Sequence, residues 1–134
     1  MYKLLALAGG VLLLGVHGIA AADTMFTNPV IYVTPMVLNF GTVASNKTAT
    51  ATFVVENMGR GKLVGTATVP APFKIVAGGD YTLRENEAQI ITITYKPTGA
   101  APDTNTVTFT GGGGAKASVN GNLPPPQRTK PKRK

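Results

Sequence analysis

From Thr48 to Asn57 the chain alternates with period two. Ala49, Ala51, Phe53 and Val55 fall on one face, and Thr48, Thr50, Thr52, Val54 and Glu56 on the other. That is the pattern of a strand with one face buried and β-branched residues on the wet side. Ile91, Ile93 and Tyr95 alternate with Thr92, Thr94 and Lys96, and Val107 and Phe109 alternate with Thr106, Thr108 and Thr110. A weaker run covers Ala117-Ser118-Val119. Nearer the start, Val30–Val33 and Val37–Phe40 form two short pieces divided by Thr34-Pro35. Proline has no N–H for a ladder, so Pro35 belongs at an edge or a strand switch. Turn signals separate the runs: Asn57-Met58-Gly59-Arg60-Gly61, Gly78-Gly79-Asp80 and Lys96-Pro97-Thr98-Gly99. The four glycines Gly111–Gly114 read as a flexible hairpin connector between the last two strands. No long window carries helical periodicity. The pattern predicts an all-β chain, an antiparallel sandwich of about seven to eight strands spanning residues 29–122.

Within "LNFGTV" a glycine follows an aromatic where a strand former is expected. Phe40 is expected to fill the space between two sheets. Gly41 is expected to let the backbone bend as the first strand leaves one sheet for the other.

The ends differ from the middle. Lys3, the apolar run Leu4–Val16 and the small residues Ala20 and Ala22 form a secretory signal pattern, with cleavage expected after Ala22. The alternative, a retained membrane anchor, suits this run less well, because a span needs about 20 apolar residues and Gly9, Gly10, Gly15 and Gly18 interrupt it. Residues 23–28 are a polar lead-in. Residues 123–134, "LPPPQRTKPKRK", are expected to be a disordered proline-rich tail.

The formal net charge of +7 is unevenly placed. Between Asp23 and Asn122, seven basic residues (Lys47, Arg60, Lys62, Lys74, Arg84, Lys96, Lys116) nearly balance six acidic ones (Asp23, Glu56, Asp80, Glu85, Glu87, Asp103). The tail carries Arg128, Lys130, Lys132, Arg133 and Lys134 with no acid. The chain therefore reads as a near-neutral domain with a basic end.

Taken in order, "VTPMVLNFGTVASNKTATATFVVENMGRGKL" resembles the opening of an abnormal-spindle/hydin-type (ASH) domain, a group akin to major sperm protein domains. Pro35, Leu38, Phe40, Gly41, Val43, Phe53, Asn57 and Gly59 fill its pattern of a proline, an apolar-x-Phe-Gly-x-Val step and a strand ending in Asn-x-Gly. Pro72-Phe73, the run from Leu83 to Tyr95 with Pro97, and Gly121 resemble its later parts. The resemblance covers about residues 30–122. It implies an immunoglobulin-like fold and a protein-interaction or structural role with no enzyme activity. With a signal pattern it implies the bacterial exported branch, in the periplasm or at the cell surface. The single domain and the basic tail depart from the tandem arrays usual in the group.

The residue inventory points the same way. Cysteine is absent and the sole histidine, His17, lies in the signal pattern. Soft-metal sites and histidine-based acid–base chemistry are therefore not expected, nor is a cofactor. Asp80, Glu85 and Glu87 match no calcium loop and read as a solvated turn. The glycine run lacks the lysine and helix of a phosphate loop. Ser45 and Ser118 have no base, and Met25, Met36 and Met58 are too scattered for a thioether site. Asn46-Lys47-Thr48 is a glycosylation sequon that matters only in a eukaryotic secretory pathway.

Two roles remain. One is binding to another envelope protein through a sheet face, for which the Thr48, Thr50 and Thr52 stripe is the candidate, or through an edge strand. The other is tethering to an anionic lipid surface or polymer through the tail cations. Nucleic acid is disfavoured, because no aromatic is interleaved with those cations.

Overall fold

The computed structural model describes residues 27–128. The signal pattern and four of the five tail cations lie outside the described residues.

Nine strands and no helix make up the described chain: β1 (Ile31–Thr34), β2 (Val37–Asn39), β3 (Ala49–Asn57), β4 (Leu63–Thr68), β5 (Phe73–Ala77), β6 (Asp80–Leu83), β7 (Ala88–Tyr95), β8 (Asp103–Phe109) and β9 (Ala115–Gly121). They form a sandwich. One sheet has the order β1-β3-β7-β5 and the other β2-β9-β8-β4-β6. The period-two faces meet between them. Phe53, Val55, Ile91, Ile93 and Tyr95 from the first sheet and Leu63, Val107, Phe109 and Val119 from the second are fully or almost fully buried. Phe53 and Phe109 cross the gap edge to face, with ring centroids 5.6 Å apart, the arrangement that the ring quadrupoles favour. Without a disulfide, this apolar interior is the main source of stability.

The proline expectation holds. β1 pairs with β3 in the four-stranded sheet, and β2 pairs with β9 in the five-stranded sheet. Thr34-Pro35-Met36, containing one of two cis X-Pro bonds, carries the chain from one sheet to the other.

Four expectations need correction. The strand number is nine. The β2–β9 pair is parallel, with Val37, Leu38 and Asn39 opposite Ser118, Val119 and Asn120, so the sandwich is not wholly antiparallel. Gly41 lies after β2, past the switch. It takes φ +71, and a Cβ there would meet nothing within 4 Å. Its need for glycine is therefore conformational, since left-handed backbone penalises an L side chain. The turn is closed by the Gly41 N–H donating to Asn39 Oδ1 (2.9 Å) and the Gly41 carbonyl accepting from the Asn122 N–H (2.9 Å). Phe40 is half-buried at the lip of the core rather than in its middle.

The glycine run also differs from its expectation. Gly111–Gly114 all have positive φ, which fits a specified loop better than a slack one. The Gly112 carbonyl accepts from the Ile31 N–H at 3.1 Å. A Cβ on Gly111 would strike the Val64 carbonyl, and one on Gly112 would strike Leu63 and the Ile31 nitrogen. The loop thus fastens the β8–β9 hairpin to the start of β1.

Candidate functional site

The sandwich has two poles, each organised by a buried asparagine. At the first, Asn57 ends β3 with no exposed surface. Its Oδ1 accepts from the Val30 N–H (3.2 Å) and the Gly59 N–H (3.0 Å). Its Nδ2 donates to the carbonyls of Gly61 (2.9 Å) and Leu83 (3.2 Å). Gly59 is a glycine for lack of space, because a Cβ there would collide with the Asn28 carbonyl and the Val30 nitrogen. The Asn-x-Gly step therefore ties the chain entry, the β3–β4 turn and the end of β6 into one knot.

At the second pole Asn122 does the same work. Its Oδ1 accepts from the Val43 N–H (2.7 Å) and its Nδ2 donates to the Gly99 carbonyl (3.3 Å). Beside it, Phe73 stacks on Tyr95 at 4.7 Å, and Phe40 leans on both at 5.7 and 5.5 Å. The Tyr95 hydroxyl donates to Asp103 Oδ2 (2.6 Å). Burial, with the adjacent Asp103 carboxylate, pushes the Tyr95 pKa up to about 12. Gly121 makes room for this ring, since a Cβ there would overlap Tyr95. Tyr81, on the other sheet, is also raised, mainly by burial, while its bond to Thr110 works in the opposite direction.

The motif residues divide between the core and the turns. Phe53, Asn57, Gly59, Tyr95 and Pro97 are buried, Leu38, Phe40 and Val43 half-buried, and Pro35 and Gly41 exposed in turns. Among the described residues no group of three or more His, Cys, Asp or Glu side chains could hold a metal ion. Asp80 stands on the β6 edge, with Oδ1 accepting from the Thr66 hydroxyl. Glu85 and Glu87 sit in the β6–β7 turn, where Glu87 Oε2 accepts from the Arg84 N–H. The three acids are not gathered into one site. The Ser45 hydroxyl donates to the Thr98 carbonyl (3.0 Å).

What distinguishes the surface is apolar. The Thr50 and Thr52 stripe continues across β7, with Thr50 opposite Thr94 and Thr52 opposite Thr92. The outer face of the other sheet is also threonine-rich, through Thr66, Thr68, Thr104, Thr106 and Thr108. A threonine stripe therefore marks wet strand faces in general. The five-stranded face exposes separate apolar side chains, Val64 on β4 and Val37 on β2, whereas the four-stranded face brings several together. Ile90 is 61% exposed and lies opposite half-buried Val54, which in turn lies opposite Thr34. Tyr32, 52% exposed, stands diagonal to Val54, and Ala88 is exposed beside Glu56. Sequence reasoning passed over Tyr32 and Ile90. The signal was present: both break the alternation by placing a large apolar residue at a wet position, between Ile31 and Val33 and beside Ile91.

The sheet edges are guarded unequally. Gln89 Nε2 donates to the carbonyls of Gly78 (2.8 Å) and Asp80 (3.0 Å), covering the passage between β5 and β6. A register shift between Ile75 and Ala77 bulges β5. The β2 edge is three residues long, with Met36 and Val37 each 55% exposed. Bulges and short edges both discourage indiscriminate strand addition.

The family model described as HYDIN/CFA65/VesB-like, Ig-like domain matches residues 29–120. No curated protein matches the sequence. Among solved structures the chain is similar to a protein of unknown function from Porphyromonas gingivalis W83 (TM-score 0.62, 16% identity, covering 77% of this chain and 50% of that one). It is also similar to the ASH/PapD-like domain 7 of human CEP192 (TM-score 0.54, 14% identity, 70% and 84% coverage). A third is a chain of the CsuC–CsuE chaperone–tip adhesion subunit pre-assembly complex of Acinetobacter baumannii (TM-score 0.55, 6% identity, 69% and 56% coverage). At these identities the likeness is one of fold.

Proposed function

Because the chain belongs to the HYDIN/CFA65/VesB-like Ig-like domain family, we propose that it acts as an exported, non-enzymatic protein-interaction module of the cell envelope. The observation that carries this reading is the Tyr32, Val54 and Ile90 group on an otherwise threonine-lined sheet face. Exposed apolar contact area beside polar residues is the composition of a protein interface, where buried aromatic and aliphatic anchors supply most of the energy. Export is supported by the Leu4–Val16 run followed by Ala20-x-Ala22. The coarse role, an interaction fold without its own chemistry, is consistent with the ASH/PapD-like and chaperone–adhesion structures that share this architecture.

The test is a cross-linking pull-down from envelope fractions with the wild-type chain and with Ile90→Glu. The expected result is a partner retained by the wild type and lost by the variant, with both folded by circular dichroism. A partner bound equally by both moves the interface elsewhere, and repeated recovery of none removes the reading. Mass spectrometry of the mature protein checks export: an N-terminus at Asp23 is expected, and an intact Met1 contradicts it.

A second reading is favoured by one observation of its own, the placement of five cations within the last seven residues. In that reading the tail tethers the domain to an anionic surface, each cation near an anionic membrane being worth about 1 kcal/mol.

A further inference from the structure

The outer face of the four-stranded sheet sorts its charges by end. Glu56, half-buried, lies opposite Ala88 at the end of the strands near Asn57. Lys74, exposed, lies opposite Thr94 at the other end, in the row of Thr50. Lys96, also exposed, follows Tyr95 at that same end, its N–H still donating to the Pro72 carbonyl (3.3 Å). Strand alternation turns all three side chains outward. Six positions along β3 separate the Glu56 row from the Thr50 row, about 20 Å at the rise of an extended strand. Within one chain, opposite charges so far apart do not pair. Between the two ends runs an apolar band that reaches all four strands. Tyr32 and Val54 lead to Ile90, and the β5 bulge adds Val76, 50% exposed, beside Ala77 and Thr92. The outer face of the other sheet is unsorted, with Asp80 and Lys116 in neighbouring rows at one end.

We infer that this face docks a second copy of the chain, face to face, about a two-fold axis lying across the strands. The inference rests on the sheet-face reading above and names its partner. The charges choose that partner. An axis between the Thr52–Thr92 row and the Val54–Ile90 row reverses the strands of the second copy. Glu56 of each copy then stands over the end that carries Lys74 and Lys96 of the other. The same operation lays the Val54–Ile90 row of each copy on the Thr52–Thr92 row of the other, beside its Val76. One patch thus meets itself, the condition for an isologous contact. Charge complementarity of this kind fixes register and disfavours the parallel arrangement, in which like ends would meet. A face only four strands wide is at the small end of specific interfaces, so the pair is expected to be weak and concentration-dependent.

The experiment is sedimentation equilibrium of the purified full chain over a broad concentration series, with each variant checked by circular dichroism. The wild type is expected to dimerise reversibly. Ile90→Glu places a charge in the apolar band of both copies and is expected to raise the dimer Kd by about tenfold or more. Glu56→Lys and Lys74→Glu are each expected to raise it by about threefold, and added salt to act in the same direction. The double variant Glu56→Lys/Lys74→Glu is expected to recover most of that loss, which neither misfolding nor lost apolar area can imitate. Lys116→Glu, on the outer face of the other sheet, is the control expected to change nothing. A chain that stays monomeric throughout overturns the second copy as occupant. The sheet-face reading then stands if the pull-down yields a different protein that Ile90→Glu loses, and falls with it if the pull-down yields none. A dimer indifferent to Ile90→Glu overturns this face as the contact. A dimer weakened by Ile90→Glu, but with charge reversals that simply add, overturns the two-fold arrangement.

Discussion

Asn57 is the residue on which the first pole depends. It satisfies two N–H groups and two carbonyls, tying its own turn at Gly59 and Gly61 to Val30 and Leu83 far away in sequence. Removing one partner leaves the others unpaired away from water, and each such group costs about 1–3 kcal/mol. Asn57→Ala is expected to lose about 3 kcal/mol or more in urea denaturation. Asn57→Asp is a sharper variant, because an ionised carboxylate would face the Gly61 and Leu83 carbonyls with no proton to donate. Its deficit is expected to grow as pH rises through the carboxylate range and to shrink on acidification. The two phenylalanines make a paired test. Phe53, fully buried, is expected to cost about 3–5 kcal/mol when cut to alanine. Phe40, half-buried against Phe73 and Tyr95, is expected to cost about half as much. Equal losses would mean that the lip is as dry as the centre. The sequence identified both rings as motif positions but could not grade them, because period two reports a face and not a depth. It also marked Asn57 but not Asn122, which lies beyond the last strand, where no alternation survives to point at it.

At the scale of the element, legibility followed regularity. β3, β7 and β8 were readable because alternation runs through most of their 9, 8 and 7 residues, departing from it at Val54 and Ile90. β4, β5 and β6 were not singled out. Gly65 interrupts the first, and a bulge near Val76 and the Gly78-Gly79 crossing interrupt the others. The parallel pairing of β2 with β9 joins residues about 80 positions apart, and no local pattern encodes a register across such a gap. The glycine loop shows the converse, a segment whose conformation is specified although its composition suggests slackness. Gly113→Ala, at φ +93 with open space around it, is expected to cost about 1–2 kcal/mol of backbone strain. Gly111→Ala adds a clash with the Val64 carbonyl and should lower the melting temperature further. Thermal melts of the two variants decide it, and equal losses would show that the β8–β9 loop moves aside freely.

At the scale of the whole molecule, Tyr95 couples stability to pH. Its pKa is raised from 10.0 to about 12 in the fold, so the folded state holds a proton that the unfolded chain releases earlier. The contribution is complete below the unfolded value and is lost as pH climbs through the folded one. Melts stepped through this alkaline window should show declining stability. Tyr95→Phe should flatten the decline, and an unchanged slope would assign it elsewhere, with Tyr81 the next candidate.

The pairing of β2 with β9 also has a consequence in time. Of the described strands, synthesis delivers β2 early and β9 last, yet β9 is the strand that joins β2 to β8 in the five-stranded sheet. A nascent chain lacking residues 115–121 therefore holds β2 without its partner and a hairpin with one arm. Completion of the fold waits until nearly all of the domain has emerged from the ribosome. Such a chain stays threadable for most of its birth, and a force-sensing arrest assay should register no folding pull until Gly121 is clear of the exit tunnel.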